Sequence, residues 1–340
     1  MMSTRTKFVT RGAVAKGMSL IELMVSLIIG LLVVGSAIAI FISNSQTYTA
    51  TENVGRIQEN MRTSYELMAR DVREAGASAC AKGLPVSNVL NNANTTWWST
   101  WAGITGYGST QAFPDAAFGT TAGTRVSGTD AIQLMSSSNS GISIESHNPA
   151  SANFKVNTTN HNINDGDIVM ACDYLQASIF QITNASPGTN VTIVHNTGNT
   201  VTPGNCSMGL GLPTVCTGPA GGTPYEFLPN STLAKLRAVR WYIGNNPSGG
   251  RSLYQASLNN TGGTVTSAPQ EIAEGVQNLT FTYLVNGVYS PAASISAADW
   301  GVVSAVRVTL VLQGNENIGT DGNRIQRQLS STITLRNRNI

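Results

Sequence analysis

The sequence predicts an α+β protein: one long N-terminal helix, then a domain of antiparallel sheet. Three observations carry that expectation. Residues 23–42 form an unbroken uncharged run of apolar and small residues. Beyond it, Val54, Ile57, Met61, Tyr65, Met68 and Val72 recur at steps of three and four, the stripe of an amphipathic helix. After residue 76 no helical period of similar length returns; short apolar runs alternate with Gly, Asn, Ser and Thr instead.

The chain opens with a basic stretch holding Arg5, Lys7, Arg11 and Lys16 and no acidic residue. Glu22 follows, and the next charge is Glu52. Twenty residues at ~1.5 Å each reach ~30 Å, enough to cross the hydrocarbon core of a bilayer. The cations lie on the N-terminal side, which places that end in the cytoplasm and the rest of the chain across the membrane. A carboxylate at the head of such a span is costly, so Glu22 is expected to have a function.

Gly17-Met18-Ser19-Leu20-Ile21-Glu22, with the apolar run behind it, resembles the processing motif of type IV pilins and type II secretion pseudopilins. The resemblance implies that a prepilin peptidase cuts between Gly17 and Met18 and methylates the new amine. Glu22 then becomes the fifth mature residue. The family more often begins with Phe, and Met18 departs from that. Two plainer readings explain less. A secretory signal cut after the A-x-A site at 37–39, or an uncut anchor, leaves Gly17 and Glu22 together without a role.

Composition agrees with an exported domain. Only 11% of the 340 residues are charged, against a usual ~25%. The formal charge of +2 falls to 16 − 18 = −2 once the four leader cations are removed, so bulk charge implies no nucleic-acid partner. Four cysteines, Cys80, Cys172, Cys206 and Cys216, contain no C-x-x-C pair, and the histidines, His147, His161 and His195, are dispersed. That argues against zinc and for two disulfides, with three connectivities open. The short Cys206–Cys216 loop closes locally most easily, which leaves Cys80 with Cys172.

The expected divisions are a leader at 1–17, a membrane and assembly helix at 18–42, its amphipathic continuation at 43–76, and an exported β-rich domain at 77–340. Pairs at i,i+4 support the polar helix face: Glu52 with Arg56, Glu66 with Arg70, and Arg70 with Glu74. Gly76 suits a C-cap. A helix from Met18 to Ala75 would be about 85 Å long. Gly30, Gly35 and Ser36 serve either as weak points or as small residues for close helix packing. Residues 77–128 read as loops with short strands, and Trp97, Trp98 and Trp101 there as core first and a binding patch second. Strands are expected at 131–135, 141–145, 167–172, 177–183, 190–195, 238–243, 252–256, 276–285, 303–311 and 329–335, with a tight turn at Asn286-Gly287.

Further stretches narrow the resemblance to the PilW family of minor pilins. They are 56–62 (RIQENMR), 69–76 (ARDVREAG), 274–279 (EGVQNL), Trp300 with 303–308 (VSAVRV), and 335–338 (LRNR). The secretion pseudopilin GspJ is similar in plan. These stretches cover the helix and roughly the last 70 residues; the middle carries little of the pattern.

No catalytic constellation is present: no G-x-S-x-G, no H-E-x-x-H and no phosphate loop. Asp165-Gly166-Asp167 and Asp321-Gly322-Asn323 lack the further spaced oxygens of a calcium loop and read as turns. Arg324, Arg327, Arg336 and Arg338 read as a solvated face or subunit contact. No enzyme activity, cofactor or metal is expected. The resemblance implies a pilin-like fold and a non-enzymatic minor pilin near the fibre tip, serving adhesion and twitching motility. Its partners would be other minor pilins, the major pilin, the peptidase, the inner-membrane assembly platform and a large tip adhesin. The subunit would be stored in the inner membrane with its domain in the periplasm, then carried to the cell surface. In the alternatives it is a GspJ-like pseudopilin, or an adhesin that binds through the tryptophans.

Overall fold

A computed structural model describes residues 17–138, 141–198, 200–216, 221–319 and 321–336. The leader cations and Arg338 lie outside these residues. The chain divides into two compact units, Met1–Glu52 and Asn53–Ile340.

Helix α1 (Leu20–Glu74) runs without a break and is the only α-helix among the described residues. In the first unit it has no buried residue, and its apolar part is long enough to cross a membrane. Its hydroxyls turn back onto the helix. Ser36 donates to the Leu32 carbonyl (2.8 Å), Thr47 to Ser43 (2.9 Å) and Thr51 to Thr47 (2.9 Å). A polar side chain satisfied in this way does not need water.

In the second unit α1 buries Asn53, Ile57, Ser64, Met68, Ala69, Asp71 and Val72. Ile57, Met68 and Val72 are the expected stripe, with Met61 and Tyr65 half-buried beside them. At Glu66 and Arg70 the polar face departs from expectation. Glu66 pairs with Arg62 (2.8 Å), and Arg70 leans toward Asp71 (3.6 Å). Both partners of the Arg62–Glu66 pair are exposed, so little energy separates one such pairing from another. The helix ends at Glu74. Gly76 follows with φ +72° and donates its N–H to Met135 O (2.8 Å).

The strands are β1 (Val86–Asn88), β2 (Ile104–Tyr107), β3 (Ala131–Ser138), β4 (Ile144–Asn148), β5 (Asn153–Val156), β6 (Ile168–Cys172), β7 (Ala177–Gln181), β8 (Thr192–Val194), β9 (Thr232–Asn245), β10 (Arg251–Thr261), β11 (Thr264–Glu274), β12 (Val276–Val285), β13 (Val288–Pro291), β14 (Ala305–Gln313) and β15 (Gln326–Thr334). They form an eight-stranded sheet, β1-β7-β6-β9-β10-β11 with β3 and β2 branching from β9, a four-stranded sheet, β13-β12-β14-β15, and a three-stranded sheet, β4-β5-β8. Named strands pair antiparallel except β1 with β7.

Strand alternation assigns the cores. Val239, Trp241 and Ile243 of β9 join Leu279, Phe281 and Tyr283 of β12, Val306, Val308 and Leu310 of β14, and the α1 stripe. Leu236 and Ala238 belong to a different cluster, with Met135, Met170, Trp97 and Trp98. A further cluster around Phe154, Phe180 and Phe227 joins the three-stranded sheet to β6 and β7. Gly275 links β11 to β12 at φ +80°, and a Cβ there would sit 2.6 Å from Gln313 O. Only glycine lets the chain cross between the two sheets at that point. The Asn286-Gly287 turn joins β12 to β13, both residues at positive φ (48° and 83°).

Candidate functional site

The head of α1 is built from its own sequence. Ser19 stands just before the first helical residue, Leu20. Its N–H donates to Glu22 Oε2 (3.0 Å), and the Glu22 N–H donates to Ser19 Oγ (3.3 Å). This reciprocal pair is a capping box, and it satisfies two donors that the helix start would leave open. It also places a carboxylate at the positive end of the helix dipole. Sequence reading missed it: Ser19-Leu20-Ile21-Glu22 is an S-x-x-E signature, hidden under the processing motif. A carboxylate has about four acceptor sites, so one bond to Ser19 leaves room for a cation.

Gly17 and Met18 lie exposed beside this cap. Behind it the large side chains from Leu20 to Ile42 are all exposed, from Leu20 at 79% to Val25 and Ile42 at 50%. Burying one such side chain is worth about 1.5–3 kcal/mol. Water is therefore the wrong solvent for this surface. By length and composition this helix could cross a membrane.

A second feature fixes the other half of α1. Asp71, buried at 3% exposure, accepts from Arg237 Nη2 (2.7 Å) at Oδ1, and from Trp241 Nε1 (3.0 Å) and Gln255 Nε2 (2.8 Å) at Oδ2. Three donors from β9 and β10 thus converge on one helical carboxylate. Tyr65 and Ser331 bond through their hydroxyls (2.9 Å), and Arg336 N–H donates to the Arg73 carbonyl (3.1 Å). These tie the helix to β15 and to the chain beyond it. An aspartate in the middle of an apolar stripe carries little sequence signal, because its partners lie more than 160 residues away.

The other expected residues are dispersed around the domain. Cys80 joins Cys172 with Cα atoms 5.9 Å apart, and Cys206 joins Cys216 at 5.0 Å. Trp97 and Trp98 are buried at 9% and 7%, and Trp101 packs half-buried against the same cluster, so the three do not form an exposed binding patch. The guanidinium of Arg240 lies over Trp97 (4.4 Å) and holds Asp115 in a bidentate pair (2.7 and 3.0 Å). Asp165 and Asp167 do not open toward a cation. Asp165 accepts from Ala185 N–H, and Asp167 pairs with Lys235 (2.6 Å) and accepts from Asn260 (2.8 Å). Asp321 accepts from the Asn323 N–H (3.0 Å) inside a turn. Among the described residues no cluster of His, Cys, Asp or Glu is arranged to hold a metal.

His147 and His195 meet in a buried aromatic box, Nε2 to Nε2 at 3.2 Å. His147 Nδ1 accepts from Phe227 N–H (3.2 Å), so its Nε2 carries the proton and donates to His195. His147 stacks on Phe154, with centroids 4.0 Å apart. Burial lowers His147 to about 4; burial, with the His147 charge added, lowers His195 to about 3. Both are therefore neutral at pH 7. Two histidines 48 residues apart give no sequence sign of this contact.

Residues 240–332 match the family model described as Type IV Pilus-assembly protein W. The match runs from β9 to β15, just over a quarter of the chain, and includes Trp241 and Gln255, two of the donors to Asp71. No curated protein matches the chain significantly.

Proposed function

We propose that this chain is a minor pilin, a structural and non-enzymatic subunit that helps to start or cap a type IV pilus. The family match supports involvement in type IV pilus assembly. The observation that carries the finer reading is the first half of α1: apolar, exposed throughout, and headed by one carboxylate. Such a helix leaves lipid at low cost only when it packs against similar helices. In this reading the peptidase cuts between Gly17 and Met18 at the cytoplasmic face and methylates Met18. The new amine is a cation in an apolar layer, and a carboxylate on the neighbouring subunit neutralises it. Glu22 does the same for the next amine in line. The charge pair sets axial register, and apolar packing supplies most of the cohesion. The β domain, exported to the periplasm, selects neighbours among the other minor pilins and the major pilin, on the assembly platform and below a tip adhesin. The burial of Trp97 and Trp98 removes the feature on which a direct ligand-binding role rested.

Processing is the first test. Mass spectrometry of the protein from membranes should find an N-terminus at Met18 carrying a methyl group. A start at Ile40, after the A-x-A site, would mean an ordinary secretory signal and overturn the reading.

A further inference from the structure

Large apolar side chains are rarely left exposed in the second unit. Tyr174, Leu175, Leu212, Val215 and Leu228 are five of them, and only Val288 and Val302 lie elsewhere among the described residues. The five belong to three segments that hydrogen bonds stitch together. Gln176 Nε2 donates to Leu210 O (2.8 Å), Thr223 Oγ1 donates to Pro213 O (2.6 Å), and Tyr225 donates its hydroxyl to Asp173. Between the segment of Tyr174 and that of Leu228, with residues 79–81 alongside, runs an open groove of about 820 Å³, walled by Tyr174, Leu175, Tyr225, Leu228 and Pro229, with the Cys80–Cys172 disulfide beside them; Leu212 and Val215 do not line it.

The exposure is built in. Asp173 Oδ1 accepts from the N–H groups of both Leu175 (2.7 Å) and Gln176 (3.0 Å), and Asp173 N–H donates to Gln176 O (3.1 Å). Cys172, one residue earlier, is fixed by its disulfide. A turn held on all these sides presents Tyr174 and Leu175, 78% and 57% exposed, with no route into the core. Leaving such a patch in water costs free energy, and patches of this kind mark protein contacts. Preorganisation also removes much of the ordering cost of binding. Among the described residues, the only charged ones lining the groove are Asp173 and Glu226, both acidic.

We infer that this groove docks a polypeptide segment of a partner subunit bearing an aromatic or branched aliphatic side chain next to a lysine or arginine. The apolar wall takes the side chain, and the two carboxylates select the cation. The inference rests on the pilus-subunit reading only in supposing that a partner subunit is at hand.

The test places p-benzoylphenylalanine at Tyr174 in the full chain in cells, with Thr309 on a strand of the four-stranded sheet as the control site. Irradiation should yield a protein adduct at 174 and not at 309. Its mapped peptide should carry Lys or Arg within about two residues of the crosslinked side chain, the reach of neighbouring side chains on a strand. Glu226→Lys should cut the yield about tenfold, since it sets a like charge against the partner's cation, and Glu226→Gln should cut it less. Peptide mapping of both disulfides checks that the variants fold. A yield no higher than at Thr309, an adduct to lipid, a peptide without a basic residue, or indifference to Glu226→Lys overturns the inference. Should the chain enter fibres normally with no adduct at 174, the groove inference fails and the pilus reading stands. A chain that is neither cleaved nor in fibres sinks the pilus reading whatever the adduct.

Discussion

Asp71 is where one helical side chain meets two strands. It is buried and takes hydrogen bonds from Arg237, Trp241 and Gln255, so removing it leaves three donors without an acceptor. Asp71→Ala should cost ~3 kcal/mol, the scale for breaking a buried charge pair, somewhat tempered because Arg237 is partly exposed. Asp71→Asn should cost less, since an amide oxygen still accepts. Denaturant unfolding of the full chain in detergent would measure both, and a loss below ~1 kcal/mol for Asp71→Ala would show that the network is not the anchor. The histidine pair gives a pH signature. Both folded pKa values lie below the ordinary 6.5, at about 4 and 3, so between those values and 6.5 the unfolded chain binds more protons. Stability should therefore fall as pH drops from 6.5 toward 4. Melting temperatures between pH 6.5 and 5, above the usual carboxylate range, isolate the effect, and His195→Phe should flatten the slope. An equal slope in the variant would assign the dependence to other groups. At this scale the sequence was legible where a residue acts locally, as at Gly76, which takes a positive φ just past the helix end. It was silent at Asp71 and His195, whose environments are assembled from distant segments.

Elements differ in how openly the sequence announces them. The helix stripe was readable because six apolar residues keep one period. Strand β12 was readable because Leu279, Phe281 and Tyr283 alternate inward and all three are buried. Strand β11 escaped because Pro269 lies inside it; it is an edge strand, where a missing N–H is tolerated. Strands β1, β2 and β5, of three or four residues, are too short to show a period. The disulfides give this scale its prediction. Cys80–Cys172 spans 92 residues of sequence and Cys206–Cys216 spans 10. By loop-closure entropy the first should be worth about 4–5 kcal/mol and the second about 3. Cys80→Ser should therefore destabilise the protein more than Cys206→Ser. Non-reducing peptide mapping should find these two linkages; four alkylatable thiols in exported protein, or the reverse order of stability, would contradict this account.

For the whole molecule, the two parts of α1 answer to different surroundings. From Asn53 onward its buried stripe is satisfied by sheet, Asp71 included. From Leu20 to Ile42 its residues are exposed, and the hydroxyls of Ser26 and Ser36 are already bonded to the helix's own carbonyls. The plan was legible in advance because it rests on bulk patterning, an uncharged run followed by an amphipathic one. The groove beside Tyr174 was not, because it is made of turns from three separate segments. The central claim is that Glu22 and the apolar helix assemble this subunit with others. The measurement that bears on it most directly compares the subunit in sheared fibres with processed protein in membranes, for the natural chain and for Glu22→Gln. Glutamine retains the helix-cap acceptor and removes the charge. The account predicts normal insertion and normal cleavage after Gly17, but loss of the variant from fibres. Glu22→Gln present in fibres at the natural level would contradict it, leaving apolar packing alone to place the subunit.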